Sequence, residues 1–205
     1  MSISYPLSLP AQAANRTEFY AVCAVAVTTS PFSFRSQRQQ FSGQYWGLEM
    51  GFPVLTREQA EPWIAFLLKL NGPAGTFLAG DPQGRTPRGV ATGTPLVKGA
   101  SQTGQSLITD GWTASTTNIL KAGDYLQIGQ RLYKNLSDVD SNGSGEATLD
   151  IWPALRDSPS DNESITLENT KGLFRLEDNK VPLMSLVGTK DVPLYGLKLS
   201  AVEAI

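Results

Sequence analysis

The residues of this chain whose types and spacing best suit an ion lie at Asp138 to Asp150, "DVDSNGSGEATLD". A D-x-D-x-N-G opening is how a calcium loop of the EF-hand type begins. Asp138, Asp140, Asn142 and Ser144 would supply its early ligands, around Gly143, and Glu146 a later one. The position where a bidentate glutamate closes the coordination shell is occupied by Leu149, and strand-like rather than helical segments flank the loop. Asn142-Gly143 is also a favoured pair for a hairpin turn. The stretch is therefore read as a turn between strands, and no metal is expected there.

Other chemistry is narrowly bounded. The chain has no histidine, which removes Ser-His-Asp and Cys-His catalysis, His-ligated zinc and imidazole proton transfer. The single cysteine, Cys23, sits in the apolar run "FYAVCAVAV" and is read as a small buried thiol without an activating base. With no second cysteine there is no internal disulfide, as suits a reducing compartment. Carboxylates are plentiful, so a pair working on a glycosidic bond stays open, but no spacing singles one out. Neither G-x-x-x-x-G-K-[ST] nor G-x-G-x-x-G is present. The chain is expected not to be an enzyme and to need no cofactor.

At 205 residues, 40% hydrophobic and 18% charged, the chain can bury a full core as one large domain or two small ones. No apolar run approaches the ~18 residues of a membrane span, and the first residues lack the basic and apolar regions of a secretory signal. Synthesis in the cytoplasm without membrane insertion is expected. Residues 1–90 hold seven Lys/Arg and five Asp/Glu, residues 91–163 five and nine, and residues 164–205 five and five. No part is basic enough to predict a nucleic-acid partner. The acidic middle is bounded by "GDPQGRTPRGVATGTP" and "RDSPSDNES", both turn-rich. This predicts a discontinuous outer domain, residues 1–90 with 164–205, and an inserted domain at 91–163.

The elements follow from periodicity. "FYAVCAVAV" predicts a strand buried on both faces, and "QYWGLEMGF" a strand with Trp46, Leu48, Met50 and Phe52 on one side. One helix is expected at about 56–70. Thr56 and Gln59 have capping-box spacing, Ala60, Trp63, Ile64, Leu67 and Leu70 make a core stripe, and Asn71-Gly72 ends it. Pro62 predicts a bent or 3-10 first turn. The middle segment reads as short strands at Tyr125 to Ile128, from Leu132 and Tyr133 towards Val139, and at Ala147 to Trp152. The last strand, with Leu197, Leu199 and Ala201 on one face, is expected to join the sheet of residues 17–55. The fold class is mainly β: a β-sandwich domain with one helix plus an inserted small antiparallel barrel, OB-like or similar.

The succession "GQYWGLEMGFPVLTREQAEPWIAFLLKLNGPAGTFLAGDP", "PRGVATG", "GQSLITDGW", "LKAGDYLQIGQRLYKNLSDVDSNGSGEATLDIWPALR" and "LENTKGLFRLEDN" resembles tail proteins of tailed bacteriophages, of the distal-tail or tail-hub adaptor kind. The resemblance spans about residues 40–180. It implies a β-sandwich that forms a ring, commonly of six copies, at the end of the tail tube, with a β-barrel projecting from it. The implied partners are further copies of the chain and the tail tube and tip proteins, and the implied location is the virion tail. It carries no catalytic or metal residue across.

The expected function is a non-enzymatic assembly protein of the phage tail. Its candidate subunit contact is "SPFSFRSQRQQFSGQ", where Arg35 and Arg38 can make directional hydrogen bonds and Phe32, Phe34 and Phe41 can bury apolar area. An ordinary exposed hairpin is the plain alternative for that segment. A carbohydrate-binding module for a host surface is a second function, with Trp112, Tyr125 and Tyr133 as stacking residues. A carboxylate-dependent glycoside hydrolase is a third.

Overall fold

Alternation of apolar and polar residues in "QYWGLEMG" turns Trp46, Leu48 and Met50 to one face, and all three are buried. The computed structural model describes residues 3–11, 13–181, 183, 185–189 and 192–205. Its strands are β1 (Leu7–Ser8), β2 (Arg16–Thr29), β3 (Ser36–Gly51), β4 (Thr76–Ala79), β5 (Gly93–Val97), β6 (Gly104–Trp112), β7 (Tyr125–Ile128), β8 (Arg131–Asn135), β9 (Ala147–Leu155), β10 (Ile165–Thr166), β11 (Gly172–Leu176), β12 (Ser185–Thr189), β13 (Val192–Gly196) and β14 (Lys198–Glu203). One α-helix, α1, spans Arg57–Leu70. The chain is mainly β, with a β-sandwich domain that carries the helix and a small antiparallel barrel.

The outer sheet has six strands in the order β1-β4-β11-β14-β3-β2. Its last strand, β14, pairs antiparallel with β3, placing Leu199 opposite Met50 and Ala201 opposite Leu48. Helix α1 lays Ala60, Trp63, Phe66, Leu67 and Leu70 into the core formed with that face. The helix begins where the Gln59 side chain accepts the Thr56 N–H at 3.1 Å, and it ends at Asn71, which takes the left-handed conformation with φ 50°. The helix runs as α-helix through Pro62, without the 3-10 turn expected there. Pro62 and Glu58 both lie on the solvent side, where a carbonyl released by the missing N–H meets water.

The barrel has six strands in the order β10-β7-β8-β9-β6-β5. It is nearly closed: the Val97 N–H donates to the Glu163 carbonyl and the Asn162 N–H to the Val97 carbonyl, each at 2.9 Å, joining β5 to the segment that enters β10. The closing strand β10 lies beyond residue 163, so the chain returns to the outer sheet between Thr166 and Gly172. Leu107, Leu126, Leu149 and Ile151, all fully buried, fill the barrel interior.

The two units share a seam. Tyr125, Leu132 and Trp152 of the barrel strands pack into the core beneath the outer sheet. The Gln44 Oε1 accepts the Ala154 N–H at 2.8 Å. Glu203, buried at the end of β14, accepts the Trp46 N–H at 3.2 Å and lies 3.7 Å from the Arg156 guanidinium. Burial pushes the Glu203 carboxyl above the usual carboxylate range, against the opposing pull of the Trp46 N–H, Arg156 and Arg131.

Candidate subunit interface

Strand β2 departs most from its expected place. The apolar run that predicts a strand buried on both faces is exposed from Cys23 to Thr29. The cause is the extent of the sheet around it. Strand β14 supports β3 only from Gly47 to Gly51, whereas β2 and β3 go on pairing to Thr29 and Ser36. The hairpin therefore leaves the sheet as a two-stranded arm. Its register shifts between Cys23 and Val25, with Phe41, Ser42 and Gly43 on the longer side.

Period two sorts the arm into two faces. Val25, Val27, Arg38 and Gln40 share one face, and Ala26, Thr28, Gln37 and Gln39 share the other. Val25 is 47% exposed and Val27 58%. At the tip the Ser30 N–H donates to the Arg35 carbonyl at 3.0 Å and the Phe34 N–H to the Ser30 carbonyl at 2.9 Å. The turn throws Phe32 and Phe34 outward, 95% and 82% exposed, while Phe41 at the bulge is 54% exposed. Arg35 and Arg38 are exposed and join no ion pair among the described residues. The structure thus places all five candidate contact residues on one projecting arm. Cys23 lies at its base, exposed rather than buried.

A two-stranded ribbon in water is marginally stable, and an unpaired apolar edge invites another strand. Both conditions hold on this arm. Covering it would remove exposed valine and phenylalanine surface at roughly 25 cal/mol per Å2.

The stacking candidates lie elsewhere and face inward. Trp112, Tyr125 and Tyr133 are 5%, 5% and 2% exposed, so none offers a ring face to a sugar. The Trp112 indole N–H donates to Thr109 Oγ1 at 2.8 Å inside the barrel. The Tyr125 hydroxyl accepts from Lys134 Nζ at 3.1 Å, with that ammonium 4.2 Å from the ring centroid. Burial, then Asp81, raises the Tyr125 hydroxyl pKa, and burial likewise raises that of Tyr133. These rings are core and seam residues because alternation points them inward; alternation alone does not show which face of a barrel strand is inside.

The calcium-like stretch has different work. Asp138 Oδ1 accepts the Ala122 N–H at 2.8 Å, and Asp140 Oδ1 accepts the Asn118 N–H at 2.6 Å. Asn142 Oδ1 accepts from the Ser144 and Glu146 N–H groups at 2.8 and 2.9 Å. Glu146 pairs with Lys98, and hydrogen bonds from Lys98 and Asn142 hold its carboxyl below the usual range. Asp138 and Asp140 thus brace the neighbouring loop at Ala122 and Asn118, while Glu146 turns away to Lys98. The turn is built on Asn142 and Gly145, whose φ is 72°, rather than on the expected Asn142-Gly143 pair.

No protein-family model matches this chain, and no curated protein matches it.

Proposed function

We propose that the chain is a non-enzymatic structural subunit of a bacteriophage tail. It forms a ring, of six copies by the resemblance, at the distal end of the tail and joins the tail tube to the tip proteins. The observation that carries this reading is the β2–β3 arm, which exposes an apolar strand, two unpaired edges and two outward phenylalanines. Such a surface is explained if a neighbouring subunit covers it, and a repeated heterologous contact of this kind closes into a ring when its rotation permits. The barrel, anchored through Leu132 and Trp152, would then sit at a fixed angle to that ring.

The test is the double substitution Arg35→Glu and Arg38→Glu. Both side chains are exposed and outside every described ion pair, so the monomer is expected to keep its fold and melting temperature. Reversing two charges on the contact face is expected to block incorporation into tails. Normal incorporation of the folded double variant removes the arm from the interface.

A further inference from the structure

The arm ends in two aromatic knobs, and the opposite end of the same sheet contains a hole. Residues 9–11 and 13–15 lie between β1 on one sheet edge and β2 on the other. Beneath this strap lies a cavity of about 490 Å3, within the ~300–1,000 Å3 range of ligand pockets. Its lining is apolar: Leu9, Pro10, Ala14 and Leu78 are partly exposed in it, over the buried core residues Leu48 and Trp63 that form its floor. Its mouth is cationic on balance. Arg85 and Lys171 are exposed there beside Asp81, and neither cation joins a described ion pair. An apolar floor with rim cations suits an aromatic ring, which buries large apolar area while its face attracts Arg or Lys.

The arm supplies rings of that kind and cannot place them in its own cavity. Thr17 lines the cavity and Thr29 ends β2, twelve residues on; at a strand rise of ~3.3 Å this separates hole from tip by about 40 Å. Phe34 adds a second observation. Its φ of 55° lies in the left-handed region, which glycine or asparagine adopts at little cost and a bulky side chain does not. Within one chain the side chain is 82% exposed and lacks the burial that would offset this strain. Strain held at an exposed aromatic points to a contact outside the chain.

We propose that the Phe32–Phe34 tip of one copy seats in the cavity beneath the strap of the next copy. Knob and hole sit at opposite ends of one sheet, so the contact is head to tail, the type that propagates into a ring. The proposal rests on the ring reading above and names the surface that closes it.

The experiment uses the full chain with p-benzoylphenylalanine in place of Phe32. It is mixed with unmodified protein uniformly labelled with 15N, at the highest attainable concentration, and irradiated. Mass spectrometry of the digest is expected to find the photoadduct on labelled peptides from residues 8–14, 80–85 or 169–171. Ala11→Trp in the labelled partner, an exposed position at the cavity wall, is expected to cut the adduct yield about tenfold or more. Its own melting temperature should stay unchanged. Adducts on another surface of the labelled copy overturn the proposal and leave the ring reading standing. Absence of any adduct between copies also overturns it, while ring formation is decided separately by microscopy of tails.

Discussion

The indole N–H of Trp46 on β3 donates to the carbonyl of Leu132 on β8 at 2.9 Å, and this bond crosses from the outer sheet to the barrel. The same ring meets Trp152 of β9 edge-on, with centroids 4.4 Å apart. Trp46 is 5% exposed, so the seam is a continuous part of the core. Replacing Trp46 by alanine should cost about 3–5 kcal/mol, the usual loss for a large buried aromatic. Trp46→Phe keeps most of the ring but leaves the Leu132 carbonyl without its donor, at about 1–3 kcal/mol. Urea unfolding of both variants checks these values, and a cost near zero for Trp46→Phe would place the seam in solvent.

Glu203 makes the seam sensitive to pH. Burial raises its folded-state pKa above the ordinary value. The stability contributed by its protonated form is therefore fully present below the ordinary carboxylate pKa and is lost as pH rises through the raised folded value. Glu203→Gln keeps an acceptor for the Trp46 N–H and does not titrate. As pH rises from acid to neutral, wild type should lose stability relative to this variant, as read from urea midpoints. A relative gain for wild type would mean that the Arg156 and Arg131 cations outweigh burial.

Calcium should leave the melting temperature unchanged, as should a chelator. A ligand that binds only the folded state must raise its stability, and the carboxylates at 138 and 140 already accept backbone N–H groups. Asp140→Ala should cost about 0.5–1.5 kcal/mol by removing the hydrogen bond to the Asn118 N–H, with or without calcium. A saturable rise of several degrees with calcium would contradict both statements.

Phe34→Gly should move two quantities in opposite directions. Relief of the left-handed strain favours the folded monomer by about 1–2 kcal/mol, less the roughly 0.5–1 kcal/mol of extra chain entropy that glycine brings to the unfolded state. Loss of the ring should weaken association between copies. Thermal unfolding of the monomer and sedimentation at high concentration measure the two effects. A variant that associates as well as wild type would make the exposed phenylalanine dispensable.

Much of this arrangement is legible in the sequence, because strong periodicity survives any context. The stripe Ala60, Trp63, Leu67 and Leu70 can only pack as one helical face, and Leu199 and Ala201 alternate as the final strand does. The turn-rich passage near 82–95 lies where the chain enters the barrel sheet at β5, whereas the one near 156–164 comes one strand early, because β10 (Ile165–Thr166) still belongs to that sheet. The fate of "FYAVCAVAV" is not legible. An apolar run reads as buried, and its exposure depends on how far β14 extends along β3, a tertiary fact that no local pattern encodes. The cavity is equally hidden, since Leu9 and Ala14, Leu48 and Trp63, and Lys171 meet only in the fold.

The central claim is that the chain builds a ring at the distal end of a phage tail. Electron microscopy of particles that carry this protein, labelled with an antibody against it and resolved at the tail end, tests it most directly. The account predicts label at the distal end and a closed ring of repeated density there, with the barrels projecting from it. Label absent from the tail, or a density at the tail end without rotational repetition, would contradict it.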